Sequence, residues 1–401
     1  MSDDILDTTD NMCYLYKHYT TGTEVPQQFY DWTFISAVMA SVEDRVWVEK
    51  FPGKKMYLNQ YIFLLGPSGA GKGTAFAKVA PFIEESGVRT HAGLITGAAL
   101  TAMLATNKTH TDRGKIYLLH EELAQCIVGG EQAFEFIKNL TGIYAPPKTM
   151  HKATVNAGHV TLENICINWV AGSTIDWLVA TLPKESIKGG FIGRVFPIYG
   201  EKNKALRIPR PKKPSDHDKV YEHLIMRFRH LKTTTGKMTL TPKARRIYDH
   251  WYMTRPEAES DELSSVWERQ PDMVYKFGGG FSLCEDYSLK IRASHISTAI
   301  EAITHSMEVS KRLVKAANGN DDTSITDIVR VLLCRARMLP ESSLMRACTM
   351  RGITKRAMLI ALESLLTERV IRRDIKPMAA GGRMDWYTWQ KGTVNNLRSI
   401  K

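Results

Sequence analysis

Apolar positions along the chain follow two periods. Between residues 57 and 199, short, largely apolar, strand-like runs at 61–65 (YIFLL), 116–119, 165–171 and 195–199 are separated by stretches at 74–85, 98–106, 131–140 and 175–182 with helical spacing. Such runs suit strands covered on both faces, and the helical stretches between them supply the cover. The alternation predicts an α/β fold, a sheet with helices packed on it. Upstream, 29–43 (FYDWTFISAVMASVE) predicts a helix and 45–49 (RVWVE) alternates like a strand, whereas 1–27 shows no sustained period and no legible role.

Beyond 201 the texture changes. Residues 202–214 (KNKALRIPRPKKP) are too rich in proline and basic side chains to bury, and read as a linker. The region 219–315 reads as mainly helical, with Thr241 capping a helix that opens at Pro242, a second helix over 296–316, and Gly278, Gly279 and Gly280 expected to interrupt it. Asn318-Gly-Asn-Asp-Asp322 marks a further boundary. The remainder predicts helices at 324–336, 341–348 and 354–367, with a turn at Pro340 and two strands, 370–376 and 383–390, around Gly381-Gly382. Three helices and a two-stranded wing describe a winged helix, in which the third helix enters the major groove of DNA. The expected organisation is a lead-in at 1–45, a core at 46–201, a linker at 202–218, a helical region at 219–317 and a winged-helix domain at 322–391.

The stretch with the most chemistry is Gly66-Pro67-Ser68-Gly69-Ala70-Gly71-Lys72-Gly73-Thr74, between a predicted strand and a predicted helix. Strand, glycine loop and helix form the context of a phosphate-binding loop, where backbone amides and a helix N-terminus cradle a polyphosphate and Lys72 reaches its outer phosphates. Gly73 occupies the position at which that pattern places the Ser/Thr that touches magnesium, so Thr74 becomes the metal candidate. The strand at 115–120 ends in Glu121 and Glu122. The first acid is the candidate for the magnesium shell, a slot His120 can also fill, and the second for orienting the attacking water.

Ser173 and Thr174, at the end of the 165–171 strand, are candidates for touching the γ-phosphate or its water; either also suits a helix cap. Arg194, between glycines and a strand, suits a finger supplied to a neighbouring subunit's γ-phosphate. Arg269 and Lys276 are weaker candidates for the same phosphates within the chain. Between two of the strands, 148–162 predicts a hairpin around Asn156-Ala157-Gly158 whose Lys148, His151, Lys152 and His159 suit contact with a nucleic-acid backbone.

Charge sharpens this picture. The 401 residues carry 54 Lys/Arg against 42 Asp/Glu, a formal +12 and a pI near 9.3, which favours a polyanionic partner. Residues 322–401 alone hold 15 Lys/Arg against 7 Asp/Glu, a net +8. Lys355 and Arg356 on the third helix and Arg372, Arg373 and Arg383 in the wing are the DNA-contact candidates there. Six scattered cysteines without a Cys-x-x-Cys pair argue against a zinc module or disulfide framework, and the absence of a long apolar run or a leader leads to the expectation of a cytoplasmic protein.

The order of parts resembles the AAA+ ATPases of the MCM-like helicase branch, and more closely the helicase-like ATPases of phages, plasmids and other mobile elements that work with primases. The resemblance spans most of 28–390 and is carried by Gly66–Thr74, Leu118–Leu123, Ala171–Thr174 and Gly190–Arg194. It implies a P-loop AAA+ core with a helical lid, ATP and Mg²⁺ as ligands, a first sensor at Ser173 or Thr174, Arg194 acting in trans, and a pore hairpin at 148–162. It also implies self-association into a ring, expected to be hexameric, and action on single-stranded or forked DNA, beside a primase or other replication proteins. The bacterial host cytoplasm is then the expected location. The alternatives are a replication initiator or helicase-loader switch that binds DNA without unwinding it and, ranked below it, a small-molecule kinase suggested by Gly-Lys-Gly-Thr.

Overall fold

The structure, a computed structural model, describes residues 5–105, 114–126, 131–145, 148–154, 158–182, 186, 190–203, 206, 213–322, 325–349, 353–377 and 383–390. The chain divides into two compact units, Met1–Val314 and Lys315–Lys401.

The first unit begins with helices α1 (Met12–Tyr19) and α2 (Gln27–Ser41). Asn11 caps α1 by accepting from the Cys13 amide at 2.9 Å, and Met12, Leu15, Tyr16 and Tyr19 form one buried stripe. This i, i+3, i+4, i+7 spacing is helical, a short stripe among the polar residues of 1–27. A hairpin, β1 (Val46–Phe51) and β2 (Lys54–Tyr57), leads to β3 (Tyr61–Leu65), the glycine loop and α3 (Lys72–Ser86). Then follow β4 (Thr90–His91), α4 (Gly97–Leu104), β5 (Lys115–His120), α5 (Glu131–Gly142), the hairpin strands β6 (Thr149–Thr154) and β7 (Gly158–Glu163), β8 (Cys166–Ser173), α6 (Ile175–Thr181) and β9 (Val195–Tyr199).

Five of these strands form one parallel sheet in the order β4-β5-β8-β3-β9. β3 and β8 are buried at every position, as central strands of a parallel sheet covered on both faces must be. All four predicted strand runs are in it. Because the strands are parallel, their C-terminal ends share one edge, which gathers the glycine loop after β3, Glu121 and Glu122 after β5, and Ser173 at the end of β8.

The region from 217 differs from the mainly helical expectation. Between α7 (His217–Leu231) and α8 (Pro242–Thr254) runs β10 (Gly236–Leu240), which pairs parallel with β1, and β11 (Lys290–Ile291) extends that second sheet to the order β11-β10-β1-β2. Five residues with one fully buried side chain, Met238, give little local strand signal, and the partner strand lies some 190 positions upstream. Thr241 caps α8 as expected, accepting from the Ala244 amide at 3.3 Å.

The glycine triplet does not interrupt its helix. α9 (Asp261–Glu285) runs through it, and a Cβ on Gly279 would lie 2.9 Å from Leu58 Cδ2 and one on Gly280 2.8 Å from Met39 Cγ. The glycines let α9 approach α2 and the second sheet closely. After β11 comes α10 (Ala293–Asp322).

The second unit has α11 (Ile325–Ala336), β12 (Met338–Pro340), α12 (Glu341–Thr349), α13 (Lys355–Thr367), β13 (Ile371–Pro377) and β14 (Arg383–Trp389). Its antiparallel sheet has the order β12-β14-β13, so the expected turn at Pro340 closes a third strand. Its own core includes Leu333, Leu344, Met358, Leu362 and Tyr387.

Candidate functional site

The glycine loop is anchored to both neighbouring strands: the Gly66 amide donates to Ser173 O at 3.1 Å, and the Gly200 amide to Leu65 O at 2.9 Å. Gly71 is the N-cap of α3 at φ +91°, and a Cβ there would lie 2.5 Å from Val25 Cγ2. Only glycine meets both demands. The first-turn amides of Lys72, Gly73 and Thr74 have no acceptor within the helix and carry the positive end of its dipole. They line a cavity of about 520 Å³ that also takes in Ser68, Glu121, Glu122, Ser173 and Thr174. Lys72 Nζ donates to the carbonyls of Gly66 (2.9 Å) and Pro67 (3.0 Å). Burial pushes its pKa down, and the Glu122 charge opposes that shift.

The two acids divide their positions. Glu122 acts electrostatically on Lys72, whereas Glu121 reaches the N-terminus of α3: a Cβ at Gly73 would lie 3.0 Å from Glu121 Oε2. The absence of a side chain at 73 and the extra methylene of Glu at 121 are therefore complementary. Gly172 permits the close approach of β8, since a Cβ there would sit 2.2 Å from Glu121 O.

His120 does not fill the metal slot. It is fully buried, its Nδ1 accepts from Trp169 Nε1–H at 3.0 Å, and its Nε2 pairs with Gly93 O at 2.9 Å, which fixes a neutral ring. Burial lowers its pKa to about 4. Among the described residues no group of three or more His, Cys, Asp or Glu side chains is arranged to hold a metal. Magnesium held largely by substrate phosphates and water needs only one or two protein oxygens, and Glu121 with the exposed Thr74 fits that requirement.

Ser173 and Thr174 both face the cavity. Thr174 is also the cap of α6, accepting from the Trp177 amide at 3.2 Å, and Ser173 Oγ donates to Thr174 O at 3.1 Å. Arg194 stands elsewhere. It precedes β9, whose Val195 pairs with Tyr61 and Tyr199 with Leu65, so it lies roughly 15 Å from its own loop at about 3.3 Å per residue. Its Nη1 donates to Gly190 O at 2.6 Å, and its pKa is lowered by burial and then by Arg269.

Lys276 is buried at this same far edge, donating to Asn59 O (2.7 Å) and Asn59 Oδ1 (3.0 Å), with its pKa pushed down to about 7 by burial. Arg269 shares a pocket with it. Neither reaches the loop of its own chain, which corrects their assignment to the same phosphates in cis.

The 148–162 hairpin forms as β6 and β7 in register from Thr149–Glu163 to Thr154–Gly158. Lys148 and His151 are exposed, with His151 Nδ1 3.3 Å from Thr161 Oγ1; the side chains of Lys152 and His159, like the turn at 155–157, lie outside the described residues. On the second unit Lys355 and Arg356 are exposed on the first turn of α13. Arg372 pairs with Asp374 (3.0 Å) and Arg373 with Asp385 (2.7 Å), so β13 and β14 are less positive than their arginines alone suggest. The side chain of Arg383 lies outside the described set.

Sequence reasoning missed the wall beside the loop. Glu24 and Val25, from the stretch without a legible role, line the cavity together with Lys202, which forms an ion pair with Glu24. The Asn203 amide also donates to Glu24 O at 3.0 Å, so the first residues of the expected linker are held against the core; 204–205 and 207–212 lie outside the described residues. No local pattern marks this contact, which spans some 180 positions. The chain matches no protein-family model and no curated protein, so the site's own geometry carries the functional reading.

Proposed function

We propose that the protein is an ATP-driven helicase or translocase that acts on DNA as a ring, with ATP bound between subunits. The observation that carries this reading is the cavity on the strand-end edge that gathers the loop amides, Lys72, the Glu121–Glu122 pair and Ser173. A phosphate-binding loop beside paired carboxylates suits nucleotide hydrolysis, because positioning and charge stabilisation supply most of phosphoryl-transfer catalysis.

In this mechanism the loop amides bind the ATP phosphates, and Lys72 leaves the Gly66 and Pro67 carbonyls for the β- and γ-phosphate oxygens. Glu121 and Thr74 would hold magnesium, which would supply charge neutralisation on the phosphates. Glu122 accepts a hydrogen bond from the attacking water and aims it at phosphorus, and Ser173 or Thr174 orients the γ-phosphate. Arg194 stands too far from its own loop to help, so a finger role requires a neighbouring subunit; Arg269, close enough to influence it, joins the same edge. DNA contact is assigned to the exposed hairpin side chains and to the basic C-terminal unit, read as a winged helix.

Measurement of ATP hydrolysis with and without forked DNA, beside strand displacement, tests the reading. Hydrolysis stimulated by DNA and coupled to displacement is expected. ATP-dependent assembly on DNA without displacement would instead assign an initiator or loader switch, and failure to bind ATP would overturn both.

A further inference from the structure

The groove between α8 and α10 has no part in the site above. It measures about 620 Å³, and its α8 wall carries Lys243, Arg246 and His250 at i, i+3 and i+7, with Ile247 and Trp251 between and beside them. That spacing sets the three nitrogen-bearing side chains on one helix face. Lys243, Arg246 and His250 are exposed, and neither Lys243 nor Arg246 is paired with a carboxylate among the described residues. Among the described residues lining the groove, the acid is Glu301, on the α10 wall.

The guanidinium of Arg255 lies 3.5 Å from the Trp267 ring centroid and 5.5 Å from that of Trp251, so cations already sit on these indoles.

From these residues we propose that the α8 face is a binding surface for single-stranded nucleic acid. Lys243 and Arg246 pair with backbone phosphates, His250 donates to another, and Trp251, which lines the groove beside them, offers a ring face to an unstacked base. Interleaved cations and aromatic rings are the chemistry that holds single strands without sequence readout. From Lys243 to His250 the helix rises about 10 Å at 1.5 Å per residue, roughly the run of three nucleotides at about 3.4 Å each. Charge complementarity selects the strand as occupant, with Glu301 directing phosphates towards the α8 wall. The proposal rests on the DNA-acting reading of the protein and adds a contact surface outside the hairpin and the C-terminal unit.

The test is fluorescence anisotropy of a labelled oligo-dT over a salt series, using full-length wild type and K243A/R246A. Loss of two phosphate contacts is expected to weaken binding about tenfold or more at low salt and to lower the slope of log affinity against log salt by roughly 1.4 to 2. ATP hydrolysis without DNA is expected to stay unchanged. As a second readout, oligo-dT is expected to quench less tryptophan emission in W251F than in wild type. If wild type does not bind oligo-dT, the DNA-acting reading itself fails. If it binds and both variants match it in affinity, slope and quenching, the α8 surface is wrong. Loss of poly-L-glutamate binding in K243A/R246A with oligo-dT binding unchanged would assign the face to an acidic protein and likewise overturn the proposal.

Discussion

Gly73 faces the carboxylate tip of Glu121. A hydroxyl-bearing side chain at 73 would enter the space that Glu121 Oε2 already occupies, 3.0 Å from the position of a Cβ. Gly73→Ser is therefore expected to weaken Mg²⁺-dependent ATP binding and hydrolysis by tenfold or more, Glu121→Asp to do so by withdrawing the carboxylate, and the double variant to recover most of the loss. Binding of a fluorescent ATP analogue with and without Mg²⁺, beside turnover, reads this cycle; strictly additive losses would show that the two positions do not compensate.

His120, one residue away, supports a different expectation. Its folded pKa of about 4 lies below the ordinary value of 6.5, so the unfolded chain takes up a proton before the native ring does. The stabilisation is complete above pH 6.5 and is lost as pH falls from there towards 4, by about 3 kcal/mol at most. Urea unfolding at pH 7 and 4.5 is expected to show wild type losing about 2 kcal/mol more than H120Q, and equal losses would refute the assignment.

Among the elements, α9 shows how packing overrides local preference. Three consecutive glycines disfavour a helix by about 1 kcal/mol each relative to alanine, yet the helix continues because Leu58, Met238 and Met39 press against its backbone. Gly279→Val is expected to cost about 2 kcal/mol through overpacking, measured by denaturant unfolding. At an unpacked helical position valine would instead be slightly better than glycine, so the sign of the change decides. The strand β10 makes the same point: GKMTL becomes a strand because β1 offers an unpaired edge beside it. By contrast β3, β5, β8 and β9 are legible in the sequence, since largely apolar runs of four to seven residues have few other ways to be buried. The α1 stripe was equally available in the spacing of Met12, Leu15, Tyr16 and Tyr19, and was hidden by the polar residues around it.

At the scale of the whole molecule, the parallel sheet separates two edges that a ring would bring together. The loop and acids occupy one; Arg194, Arg269 and Lys276 occupy the other. Lys72→Ala and Arg194→Ala are each expected to abolish DNA-stimulated ATP hydrolysis. Mixed in equal amounts before assembly, they are expected to regain activity, because about a quarter of the head-to-tail interfaces would pair an intact loop with an intact arginine. A mixture as inactive as its parts, or an active Arg194→Ala protein alone, would remove the trans role.

The sequence by itself determined the loop, the acid pair, the strands that carry them and the basic C-terminal unit, because each is written in neighbouring residues whose glycines, charges or apolar runs admit few conformations. Only the tertiary structure decided that His120 serves Trp169 and Gly93, that Glu24 and Lys202 close one wall of the cavity, and that Lys276 stands at the far edge. Those outcomes depend on which distant segments share the same few ångströms, and no local pattern encodes that distance.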